Sequence, residues 1–313
     1  MTMPALMRHE ALLPLVSILL LSIMAACGSI AQPTPTPNLT ARQYFDRAGK
    51  HLDTGEYQKA IDNYDDAIRL DPQYSRAYNN KGIAYKKLAQ PDRAIQDFDE
   101  AIRLDSEYAH AYFNRGIAYN AVGQYERAIQ DFDEAIRHNP QYAKSYNKKG
   151  IAYNSLSQYE RAIQDFDEAI RLNPLFADAF VNRSSAYINL GQYEIAKNDL
   201  DHAIQLAPQL PEAYFWRAYL YDELGQYPRA ISDLDQAIKL NPQDPDAYIN
   251  RGLAYSNLDQ YEKSIKDYDE AIRLNPQYTE AYYNRMSSYS KLGKPNKADA
   301  DKKKACELNS NYC

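Results

Sequence analysis

From Ala41 to Tyr312 the chain repeats a unit of 34 residues eight times without an insertion. In register, position 4 reads Tyr44, Tyr78, Tyr112, Tyr146, Phe180, Tyr214, Tyr248 and Tyr282. Position 20 is alanine in every unit but one, where Ser264 stands, and position 27 is alanine from Ala67 to Ala305. A fixed period of this length marks supersecondary units stacked in one direction, each too small to bury its apolar face alone. A length of 313 residues would otherwise suggest about two globular domains, but a continuous stack needs no boundary. Such a stack offers surface, and function is to be sought there.

The repeat at 109–142 shows what each unit builds. Tyr112, Gly116 and Tyr119 share one face of a helix, and Ala128, Phe132 and Ala135 share a face of a second helix that begins at Gln124. Gly123 ends the first helix and Pro140 stops the second. Small Gly116 and Ala128 let the pair approach while aromatic neighbours fill the gap. Position 7 is basic in every repeat, as in Arg47, Lys81, Arg115 and Lys149, and position 23 is acidic in all but the first, where Asn63 stands. These residues predict a charged ladder between paired helices, with Arg127 as an alternative partner for Asp131 on its own helix. Lys50, His51, Asp299 and Lys302 replace apolar or small residues in the end repeats, which suits outer helices facing water.

Residues 1–26 do not follow the repeat. Arg8 and His9 precede an apolar run, Ala11 to Ala26, too short for a comfortable membrane span and about the length of a secretory signal. Met24-Ala25-Ala26-Cys27 resembles a bacterial lipobox, in which the cysteine is lipidated; an ordinary cleaved signal and an uncleaved anchor are the alternatives, and Glu10 departs from the pattern. Residues 27–40, with Pro33, Pro35 and Pro37 separated by threonine, read as an extended tether. The expectation is an exported protein held at a bacterial envelope membrane by a lipid on Cys27. Cys306 and Cys313 then remain, either as a disulfide in an oxidising compartment or as two free thiols.

Tyrosine or phenylalanine, glycine, tyrosine, then alanine, phenylalanine, alanine and proline at these offsets resemble the tetratricopeptide repeat. The resemblance covers eight units: 41–74, 75–108, 109–142, 143–176, 177–210, 211–244, 245–278 and 279–312. It implies an all-α fold, a right-handed superhelical solenoid of antiparallel helix pairs. It also implies a concave groove lined by the first helices at positions 2, 5, 6, 9, 12 and 13, taking a peptide or partner protein. Position 2 there runs Arg42, Arg76, His110, Lys144 and then Asp178, Glu212, Asp246, Glu280, which predicts a groove basic at one end and acidic at the other. Solvated helix starts are the plain alternative, since acids there also suit the helix dipole. One subclass of the family grips a terminal carboxylate, and Asn114, Lys144 and Lys148 fill three of its roles, whereas Asn79 and Ile83 depart from it.

All but two of the 29 tyrosines sit at scaffold positions, the exceptions being Tyr219 and Tyr283. Phe215, the single tryptophan Trp216 and Tyr219 are expected to form an anchoring patch, flanked by Val181, Ile249, Leu253 and Tyr283. The competing account has Trp216 packed between neighbouring helices. No site for catalysis is expected: His9, His51, His110, His138 and His202 lack metal-ligand spacing, and there is no phosphate loop. No cofactor, metal or small-molecule substrate is expected either. A net charge of −6 with interleaved signs argues against nucleic acid. An envelope scaffold that binds proteins or peptides is the reading these features favour; self-assembly through stacked solenoids and binding of cell-wall carbohydrate are its rivals.

Overall fold

The computed structural model describes residues 39–313; the expected signal, Cys27 and all but the last two residues of the tether lie outside them. Among the described residues sixteen α-helices run in eight pairs. The first four are α1 (Ala41–Asp53) with α2 (Tyr57–Leu70), α3 (Ser75–Lys87) with α4 (Pro91–Leu104), α5 (Ala109–Ala121) with α6 (Tyr125–His138), and α7 (Ala143–Ser155) with α8 (Tyr159–Leu172). The last four are α9 (Ala177–Asn189) with α10 (Tyr193–Leu206), α11 (Pro211–Glu223) with α12 (Tyr227–Leu240), α13 (Pro245–Asn257) with α14 (Tyr261–Leu274), and α15 (Thr279–Lys291) with α16 (Pro295–Leu308). One 3-10 turn, Ser310–Tyr312, follows. The all-helical solenoid expected from the period is what the chain forms.

Between paired helices the backbone turns through the left-handed region at position 15. Gly123 does so with φ 75°, and the N–H of Gln124 then donates to the Tyr119 carbonyl at 2.9 Å, closing the cap. Ala89, Ser157 and Asp259 hold the same turn with φ of 55° to 57°. Non-glycine residues pay about 1–2 kcal/mol there, so helix packing imposes the turn even where glycine is missing. At the far end, Asn173 and Asn275 accept the N–H two residues on, at 3.2 and 3.1 Å. This Asx turn adds to the stop supplied by prolines such as Pro140.

The core consists of size-matched pairs. A Cβ on Gly82, Gly116, Gly150 or Gly252 would meet the ring of Phe98, Phe132, Phe166 or Tyr268 at 2.6 to 2.7 Å, and those rings are buried. Where leucine replaces the ring, at Leu200 and Leu234, the residue opposite grows to Ser184 or Ala218. Close packing leaves no room for both members to be large.

The charged ladder is present and has more rungs than the sequence suggested. Arg115 forks onto Asp131 with bonds of 2.6 and 2.8 Å and also reaches Asp99 of the preceding repeat at 2.6 Å. Arg183, Arg217, Arg251 and Arg285 repeat the arrangement, so each of these arginines bridges its own repeat to the one before. Arg127 is not the partner of Asp131: it donates to Gln124 and lies over the Tyr119 ring. Lysine serves less well than arginine. Lys81 reaches only Oδ1 of Asp97, and Oδ2 stays buried without a partner. Burial pushes the Asp97 and Asp165 carboxyls up to about 6, against the pull of Lys81 and Lys149.

Each first helix packs on its own second helix, on the second helix before it, and on the first helices of its neighbours, whereas successive second helices show no comparable contact. The layer of first helices is therefore the tighter one and forms the concave side. At the ends, Lys50, Asp299 and Lys302 are exposed, as expected of outer helices.

Candidate partner-binding groove

On the concave side all eight residues at position 2, from Arg42 to Glu280, are exposed. The reversal of charge seen there recurs at two further positions. Position 12 carries Lys86 in the second repeat and Asp222 in the sixth; position 13 carries Lys87 and Glu223 in the same two, although in the end repeats it holds Asp53 and Lys291, of the opposite sign. Neither Lys86 nor Asp222 has an ion-pair partner among the described residues. Burial lowers the Lys86 ammonium below its ordinary pKa, and the charges of Lys87 and Lys148 push the same way. Burial raises the Asp222 carboxyl, with Glu223 adding to it and a hydrogen bond from Asn257 opposing. Oδ1 of Asp222 is buried without a hydrogen-bond partner. The signal for both residues in the sequence is the change of sign at position 12 between the second and sixth repeats.

The expected apolar patch divides into separate places. Trp216 is half-buried and packs on the cluster of Phe180, Val181, Leu200 and Leu220, so the account that sets it between helices holds for one of its sides. Its ring meets Phe215 at 6.1 Å and Tyr219 at 5.7 Å, both edge-on. Phe215 leans the other way, onto Ala218, Leu234 and Ala247. Tyr219 is 38% exposed and faces the groove. Val181 and Ile249 are only 3% and 6% exposed; they are core residues rather than open surface, because position 5 points between adjacent first helices. Leu253 is half-buried. Tyr283 stands apart, packed on Tyr312 at 5.1 Å, as Phe45 is on Tyr74 and Phe113 on Tyr142. Around Trp216, α9 and α11 pack more extensively than other successive first helices, and α11 packs less on α10 than its equivalents do. The indole thus fills a joint where the concave layer tightens.

Lys144 and Lys148 line a cavity of about 460 Å³ with Phe113, Asn147, Ile151, Phe176, Asp178 and Asn182. Asn114 lies one step away and donates its amide to Asn79 at 3.0 Å, and Asn182 does the same to Asn147. The three residues matched to the carboxylate-gripping pattern are therefore split: the lysines are open to a ligand, and the Asn114 amide is spent on a neighbouring helix. Cys306 and Cys313 are joined as a disulfide with Cα atoms 4.8 Å apart, a span that such a bond bridges. The described histidines are engaged in scaffold contacts, His51 with Glu56, His138 stacked on Tyr112, His202 against Phe180 and His110 near Tyr142. No group of His, Cys, Asp and Glu that could hold a metal occurs among the described residues.

A stack of helix pairs with a charged, partly aromatic concave face defines a helical-repeat protein of the kind that binds other chains. Models of the tetratricopeptide repeat match it in succession: residues 75–108, 109–142, 143–176 and 245–278 to one, 177–210 and 279–312 to a second, 200–232 to a third, and 50–88 and 221–259 to a fourth described simply as a TPR repeat. The chain belongs to the tetratricopeptide-repeat family, as its sequence implied. Among solved structures it is similar to a tetratricopeptide repeat protein from Parabacteroides merdae, with 20% identity and a TM-score of 0.65 over 82% of this chain and 98% of that one. It is also similar to the APC/C hetero-tetramer Cut9-Hcn1, with 15% identity and a TM-score of 0.66 over 86% of this chain and 53% of that one. MamA matches at 26% identity and a TM-score of 0.49 over 54% of this chain and 92% of that one. At these identities the first two show the fold alone. No curated protein matches the sequence.

Proposed function

We propose that the protein is an exported, lipid-anchored scaffold of the bacterial envelope whose concave groove holds an extended peptide or a segment of a partner protein. The observation that carries this reading is the reversal of charge along the groove, from Arg76, Lys86, Lys87 and Lys144 to Asp178, Glu212, Asp222 and Glu223. A groove with opposite ends steers a bipolar ligand and fixes its direction. The half-buried charges of Lys86 and Asp222, without ion-pair partners among the described residues, are free to pair with a ligand of opposite charge. The anchoring half of the proposal rests on the lipobox-like residues before Cys27, and the Cys306–Cys313 disulfide suits an oxidising compartment.

A photo-crosslinking amino acid at position 148 or 219 in intact cells tests the groove. The expected result is capture of a defined protein from both groove positions and none from position 273 on α14. Capture that is the same from all three positions would refute it. For the anchor, labelled fatty acid should be incorporated by the wild type and not by Cys27→Ser; incorporation by neither removes the lipid.

A further inference from the structure

We propose that the concave face of α11 is a site for a basic side chain, arginine or lysine, presented by a partner polypeptide. The inference rests on the groove reading and adds the chemistry of one of its occupants. Glu212, Trp216, Tyr219 and Glu223 follow one another at spacings of four, three and four, so they form a single stripe: two rings bracketed by two carboxylates.

In most repeats the rings at positions 4 and 11 are covered by cations of the chain itself: Arg115 lies over Tyr112 and Tyr119, Arg229 over Tyr221, and Lys263 over Tyr255. Among the described residues no such cation lies over Trp216 or Tyr219. Nor do Glu212, Asp222 or Glu223 have ion-pair partners there. No lysine, arginine or histidine occupies a groove position in the repeats at 177–210, 211–244 or 245–278. A half-buried indole beside an exposed tyrosine, with carboxylates free of ion-pair partners at both ends, attracts a cation twice over, through the ring quadrupole and through charge. The buried Oδ1 of Asp222 is an acceptor still without a donor, and burial, then Glu223, holds its carboxyl above the ordinary range. An arriving guanidinium or ammonium would relieve that repulsion. An apolar or acidic side chain would leave it in place, so the site discriminates by charge.

Trp216 is the only tryptophan, and its emission reports the site directly. The probe is an uncharged-ended dodecapeptide of glycine, serine and alanine with three central arginines, compared with the same peptide carrying citrulline, which keeps the shape and loses the charge. The expected result is a saturable change in Trp216 emission with the arginine peptide and at least tenfold weaker binding of the citrulline peptide. Asp222→Asn with Glu223→Gln, near-isosteric changes checked for fold by circular dichroism, should weaken the arginine peptide about tenfold. Glu262→Gln on α14 should leave it unchanged. Equal binding of the two peptides, an undiminished affinity in the double variant, or no emission change with arginine would each overturn the inference. Crosslinking from positions 148 and 219 is read without regard to ligand charge, so the groove can stand while this inference falls.

Discussion

Arg115→Met is expected to remove about 3–5 kcal/mol of stability at pH 7. The Asp131 side chain is 6% exposed and loses both arms of its fork, while Asp99 loses its link to the next repeat. Burial already raises the Asp131 carboxyl, and Arg115 is what pulls it back; without the guanidinium only the burial remains. The folded pKa then lies further above the unfolded one. The deficit is accordingly absent below the unfolded pKa and grows as pH rises through the folded value. Arg115→Lys should cost far less, because Lys81 and Lys149 fill this position already, with Asp97 and Asp165 at about 6. Arg115→Met with Asp131→Leu should recover most of the loss, since an apolar pair can replace a buried ion pair that one partner alone cannot sustain. Urea unfolding at pH 7 and pH 4 measures all four proteins. A loss below about 1 kcal/mol at pH 7 would sink the argument, and so would a loss that does not shrink in acid. Circular dichroism and Trp216 emission should separate in the variant, because a weak joint in the third repeat uncouples the sixth from it.

The scaffold was legible because its contacts recur from repeat to repeat. Phe132 beside Gly116 is seen again at Phe98 with Gly82 and at Phe166 with Gly150, so chance agreement is averaged away. The charged ladder was half legible. Its own-repeat rung, Arg115 to Asp131, follows from two positions on paired helices, but the second rung to Asp99 crosses into the previous repeat, and a single unit cannot show it. The groove was least legible, since what matters there departs from the repeat. Trp216 stood out by residue type, yet its half-burial depends on how closely α9 and α11 approach, which no spacing within a helix fixes. Val181 and Ile249 looked like surface for the same reason. Lys86 and Asp222 were hidden because each is ordinary alone and informative only as an unpaired charge in a partly buried place.

Gly116→Ala tests the matching of helix spacing to ring size, and the expected loss is about 1–3 kcal/mol. Helix propensity alone argues the other way, favouring alanine by up to about 1 kcal/mol. Packing wins because the added Cβ would stand 2.7 Å from Cε1 of Phe132, a fully buried ring enclosed on all sides. The chain already contains the compensated form: Ala218 faces Leu234 in the repeat at 211–244, both nearly inaccessible. Phe132→Leu alone should also destabilise, by leaving a cavity against Gly116. Gly116→Ala with Phe132→Leu should then be better than the sum of the two, with a coupling of about 1–3 kcal/mol in thermal or urea unfolding. Additive losses would mean that the helices simply move apart. Coupling would mean that ring size sets the spacing of each pair. The two leucine-bearing repeats flank the joint that Trp216 fills, so the same matching would also shape the groove where its ligand is held.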